Sequence, residues 1–183
     1  MLVWQKTLFL VRVDQLLDNN SFITRSKRSV RDFTRCRVLT FRTLAVLMLA
    51  KGSRSLQLSM NSFLPKLRRS KATADKSAYS RARHKLKYTA FIELNTTAVV
   101  QTMYEDGDYR TAHGFRILAV DGSKVQLPAN DATSKEFGTF AYRNQRTNTE
   151  GEHAYALASV LYDVLNCVAL MQLWSQLIPT KLS

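Results

Sequence analysis

The hydrophobic periodicity of this chain changes near Phe115, and that change limits what it can fold into. Before it, apolar residues recur at helical spacing. Ala78, Ala82, Leu86, Ala90, Leu94 and Ala98 fall every fourth residue, and Tyr79, Phe91 and Val99 widen the stripe. After it come short β-rich runs: "FRILAV", "KVQLP", "HAYALASVLYDV" and "CVALMQLW". Helices followed by three or four strands is the order of an α+β protein. The 183 residues suit one ordinary domain or two small ones. We place a helical, basic region at 1–108 and a strand-rich part at 109–183.

Residues 1–20 read as a short helix ending at "LLDNN". Residues 21–37 are rich in Lys and Arg, with sparse apolar residues (Phe22, Ile23, Val30, Phe33), and read as a solvated basic segment around a short helix. "VLTFRTLAVLMLAKGS" is a mostly buried helix stopped by Gly52, and "SLQLSMNSFLPKL" a shorter one that halts near Pro65. A long helix is expected from a cap at Ser77 through the periodic stripe to Tyr104. Residues 129–152 are polar and read as a long loop or short irregular strands. The two apolar runs around Leu165-Asn166 read as a hairpin of well-buried strands that needs cover on both faces.

Charge divides the chain in the same way. Residues 1–88 carry 20 Lys/Arg against four acids, a net +16, whereas residues 89–183 carry seven against ten, a net −3. A basic half beside a mildly acidic half points to a polyanion partner for the first. Double-stranded DNA leads because a duplex presents a dense row of phosphates; RNA and an anionic membrane surface are the competing partners. The densest stretch holds Lys66, Arg68, Arg69, Lys71, Lys76, Arg81, Arg83, Lys85 and Lys87 against Asp75 alone. With so few acids, solvated i,i+4 ion pairs cannot account for it. Phosphate contact by a helix-turn-helix-like pair is expected, with the N-terminal residues of the helix near Ser77 offered to the groove.

Other chemistry is sparse. Cys36 and Cys167 form no CxxC pair and read as buried reduced thiols, and His84, His113 and His153 lack metal-ligand spacing. The longest apolar run, Leu44 to Ala50, falls far short of the roughly 20 residues that span a bilayer. The N-terminus lacks the basic region and cleavage site of a signal peptide. A cytoplasmic, nucleoid-associated location is expected, with no membrane partner. Asp121, after "FRILAV", has two readings. Asp-Gly is a strong two-residue hairpin signal. A carboxylate at a strand end can instead hold Mg²⁺ or Mn²⁺, although phosphoryl transfer by two metals needs several carboxylates converging on one spot.

Four segments carry a resemblance. "FRILAVDGSKVQLP" resembles the first catalytic segment of bacterial DDE transposases of the insertion-sequence type, the group founded on insertion sequence 4. "TFRTLAVLMLAKGSRSLQLSMNSFLP" and "KSAYSRARHKLKYTAFIELN" are similar to their N-terminal helical region. "FGTFAYRNQRTNTEGEHAYALASVLYDVLNCVALMQ" is similar to the stretch after the first aspartate. The resemblance runs from about Thr40 to about Trp174. It implies that the strand-rich part is the opening of an incomplete ribonuclease H-like α/β domain. Asp121 would be the first of three carboxylates holding Mg²⁺ or Mn²⁺ for phosphodiester cleavage and strand transfer in DNA transposition. The second aspartate and the glutamate have no counterpart here. Asp163 matches a position that is not catalytic, and Glu136, Glu150 and Glu152 match no catalytic position. The fragment is therefore expected to bind transposon ends, to hold the metal poorly and to be inactive alone. It could form homo-oligomers or mixed dimers with full-length transposase and so inhibit transposition. The tail "SQLIPTKLS" departs from the pattern, as a frameshift or early stop would make it.

Overall fold

The computed structural model describes residues 3–35, 38–50, 55–67, 73–105, 107–128, 130–144 and 149–176. It has mixed helix and sheet, of the α+β kind, and divides into two units, Leu2–Glu105 and Asp106–Ser183. Among the described residues, no helix is long and apolar enough to cross a membrane.

The first unit is helical. Its elements are α1 (Val3–Asp18), α2 (Asn20–Ser26), α3 (Phe41–Leu49), α4 (Leu56–Phe63) with a 3₁₀ turn at Leu64–Leu67, α5 (Lys76–Arg83) and α6 (Thr89–Glu93). A π-helical stretch at Leu94–Gln101 then leads into α7 (Thr102–Tyr104). Each start among α2 to α5 has a side chain satisfying a free backbone N–H. Asn19 accepts from Phe22, Thr40 from Thr43, Ser55 from Leu58 and Asp75 from Ala78. The cap of α5 is thus Asp75, not Ser77. Its carboxylate gives the stronger, charge-assisted bond and lies at the positive end of the helix.

The core gathers Leu17, Phe22, Leu44, Leu47 and Met60, all fully buried. Phe22 and Phe33 each meet Phe41 edge-on, with ring centroids 5.8 and 5.7 Å apart. The expected solvated basic segment around a short helix holds in the main, with α2 as the helix and Arg25, Arg28, Arg31 and Arg35 exposed, but Phe22 and Ser26 are buried. Sparse apolar residues suffice when one of them, Phe22, plugs the centre of the bundle.

The long helix from Ser77 to Tyr104 is also corrected, because it breaks between Arg83 and Thr89. The backbone there turns toward the segment after α2. Lys27 and Leu86 form a bridge, the Arg28 N–H donates to the Lys85 carbonyl at 3.0 Å, and the Lys87 N–H donates to the Ser26 carbonyl at 2.9 Å. A continuous helix would have set Arg81 against Lys85 and Arg83 against Lys87, like charges four residues apart. The break keeps Leu86 buried, so the apolar stripe survives across two helices.

The second unit holds β1 (Leu118–Gln126), α8 (Asp131–Phe137), β2 (Thr139–Asn144), β3 (Thr149–Asp163) and β4 (Val168–Gln176) in one antiparallel sheet. The long β3 pairs with all three other strands. Residues 129–152 are accordingly not a loop: α8, capped by Asn130, and the β2–β3 pairing fill most of that span. The Asp-Gly hairpin is overturned as well. Strand β1 runs straight through Asp121 and Gly122, which face Val160 and Ser159. The tight turn lies earlier, at His113-Gly114, where both residues have positive φ (51° and 81°) between the hydrogen-bonded pair Ala112 and Phe115. At Gly122 a Cβ would come 3.3 Å from Leu157 Cδ1, a tight contact that the leucine side chain would have to relieve by a small shift.

Alternation gives the sheet two faces. Leu118 and Val120 share one with Leu157, Leu161, Met171 and Leu173, while Asp121 and Ser123 share the other with Ala156, Ala158, Val160 and Gln172. Ala154, Ala156 and Ala158 are buried, and α8 lies against β3 and β4 with the Gln176 amide bonded to the Glu136 carbonyl. By contrast Val120, Met171, Leu173 and Trp174 are largely exposed. The expectation of two well-buried strands therefore holds for the alanine-lined part of β3 and for Val168 at the start of β4.

Asp163 is fully buried at the β3–β4 turn and accepts from the backbone N–H and the side-chain amide of Asn166, each at 3.0 Å. Asn166 in turn bonds both backbone groups of Arg110. Cys167 is exposed rather than buried, and Cys36 lies outside the described residues.

Candidate nucleic-acid interface

The helical unit carries 20 Lys/Arg against six acids. The structure shows where those acids are spent. Asp14 and Asp18 hold Arg42, Glu93 holds Arg25 at 2.6 Å, and Glu105 holds Arg12 at 2.9 Å. Asp75 caps α5, and Asp32 accepts from the Ser29 N–H and lies 4.0 Å from Lys85. The Arg42 pKa is raised: partial burial works against its charge, and the hydrogen bonds and charges of Asp14 and Asp18 outweigh that. Arg28, Arg31, Arg81 and Arg83 are left with no ion pair to any described residue.

Two of these cations, Arg28 and Arg83, line one hollow. The bridge between Lys27 and Leu86 joins two basic segments, Arg25 to Arg35 and Arg81 to Lys87, that lie more than 45 residues apart in sequence. The expected site residues divide around it. Arg81 and Lys85 line a groove that also holds Val38, Gln57 and Asp75. Arg83 and Lys87 line a second hollow together with Arg28. Lys66 is exposed in the 3₁₀ turn and Lys76 is exposed at the start of α5, and neither lines these hollows. Arg68, Arg69 and Lys71 lie outside the described residues.

Among the described residues, the expected cations Arg81, Arg83, Lys85 and Lys87 lie at the C-terminal end of α5 and in the turn after it. Its N-terminal end carries Lys76 beside the Asp75 carboxylate, an arrangement that disfavours approach of a phosphate there. Sequence reasoning missed Arg28 and Arg31. Their charge was visible, but the pairing that carries them to α5 is a long-range backbone contact without a local signal.

Asp121 is exposed in mid-strand, facing Val160 with Gln172 beyond it. Among the described residues, no three His, Cys, Asp or Glu side chains come together as a metal site. A lone exposed carboxylate among apolar and amide neighbours does not fit a Mg²⁺ or Mn²⁺ pair, and no chemical step is derived through one. Asp163 is committed to the turn. Compared with known proteins, the chain matches no family model, no curated protein and no solved structure.

Proposed function

We propose that this chain binds double-stranded DNA through its helical unit, as the N-terminal part of a DDE transposase that recognises transposon ends. One observation carries the binding reading: the described acids of the helical unit each hold another partner, Asp32 with Ser29 and Lys85 among them, which leaves Arg28 and Arg83 beside one hollow without an ion pair to any described residue. Such a surface is self-repelling when bare, and a row of phosphates relieves that repulsion while releasing counterions. The transposase assignment rests on the sequence resemblance. The relation of the sheet to a ribonuclease H-like domain, with Asp121 as its first carboxylate, belongs to this same proposal. Anisotropy of a labelled duplex titrated with the full chain tests it. Binding that weakens linearly in log–log form with salt supports the reading, and no binding at low salt refutes it. Strand cleavage with Mg²⁺ is expected to be absent. Nicking that survives Asp121→Asn but not Asp163→Asn would overturn the assigned roles.

The exposed apolar face of Val120, Met171 and Leu173 favours one further role, association with full-length transposase in mixed dimers that inhibit transposition. Co-expression of the chain should then lower transposition frequency, and an unchanged frequency counts against it.

A further inference from the structure

We propose that the hollow beside Tyr88 receives one unpaired nucleotide of a bound strand. The inference rests on the polynucleotide reading above and adds what this part of the surface selects. The hollow encloses about 550 Å³, within the roughly 300–1,000 Å³ of small-molecule sites. Its apolar lining comes from Met48, Leu86 and Phe91. Arg28, Arg83 and Lys87 supply cations around it, and no acid among the described residues lines it.

A duplex would use only the cations of that mixture, because its base faces are hidden in the stack. An unpaired nucleotide offers both a flat π-face and a phosphate. Tyr88 supplies the matching aromatic surface. It is 76% exposed, and its side chain makes no capping bond at the start of α6. The backbone that carries two of these cations is fixed before any ligand arrives. The Arg28 N–H is bonded to the Lys85 carbonyl, and Lys87 is fixed twice, by its own N–H to Ser26 and by its Nζ to the Arg25 carbonyl at 3.0 Å. A preformed site of this kind loses little entropy on binding.

The test uses the full chain and three labelled DNAs: a perfect duplex, the same duplex with a one-nucleotide bulge, and one with an abasic bulge of equal phosphate count. We expect the base-carrying bulge to bind on the order of tenfold tighter than the abasic one. Tyr88→Ala should erase that difference without changing affinity for the perfect duplex, and Tyr88→Phe should restore it. Equal binding of the two bulges overturns the inference while leaving the duplex-binding reading intact. Failure to bind any of the three overturns both. Adenosine monophosphate that binds in a Tyr88-dependent way, with no preference among the DNAs, overturns the inference in favour of a free-nucleotide site.

Discussion

Removing one free cation from the joined basic surface should change the salt dependence of DNA binding by a calculable amount. Arg28 is the informative position. It is exposed, has no ion pair to any described residue, and is held by its backbone against the turn after α5. Each phosphate neutralised on B-DNA contributes about 0.9 to the slope of log K against log salt. Arg28→Ala should therefore flatten that slope by about 0.9. If the two lines meet at 1 M salt, the loss at 0.1 M is about eightfold, or about 1.2 kcal/mol. Arg42→Ala is the control, because its guanidinium is already bonded to Asp14 and Asp18. That variant should leave the slope unchanged. The assay is anisotropy of a labelled duplex over a series of salt concentrations. An unchanged slope for Arg28→Ala, or an equal drop for Arg42→Ala, would refute the claim that ion-pair accounting identifies the binding cations.

Three further outcomes follow from packing and hydrogen bonding. Phe22→Ala should destabilise the helical unit by about 3–5 kcal/mol, read by denaturant unfolding, because it empties a fully buried site against Phe41. Asp163→Ala should cost about 1–3 kcal/mol by removing the acceptor of the Asn166 backbone N–H and of one side-chain amide hydrogen, and protease digestion should then cut near the β3–β4 turn, whereas DNA affinity should be unaffected. The Tyr162 phenol has a raised pKa, through its hydrogen bond to Cys167 first, then desolvation and the charges of Cys167 and Asp163. The folded hairpin thus holds that proton more tightly than the unfolded chain does. The resulting stability is complete below the unfolded value and is lost as pH rises through the folded one. A near-ultraviolet titration should show the Tyr162 midpoint falling in Cys167→Ala.

Much of the architecture was legible in the residues. The change of periodicity near Phe115 separates helices from strands because the two structures bury different spacings. The stripe from Ala78 to Ala98 is buried or half-buried, as its period requires. What failed did so for tertiary reasons. Nothing local in "HKLKY" ends a helix; a backbone bridge to Lys27 does. Asp-Gly is a turn signal until a fifteen-residue strand offers every residue of β1 a partner. Phe22 looked isolated because its companions, Phe41 and Leu44, come from another helix. The basic cluster was read from charge; Asp75 caps the start of α5, and Arg81 and Arg83 stand at its end. The candidate metal ligand, expected at a hairpin turn or a strand end, lies in mid-strand, and whether carboxylates converge on it depends on long-range placement that no short motif encodes.

Hydrogen exchange of the full chain with and without a DNA duplex most directly tests where binding occurs. The account predicts slowed exchange in the 25–35 segment and at 81–88, with β1 and β4 unchanged. Slowing confined to the sheet, or none anywhere under conditions where the duplex is bound, would contradict it.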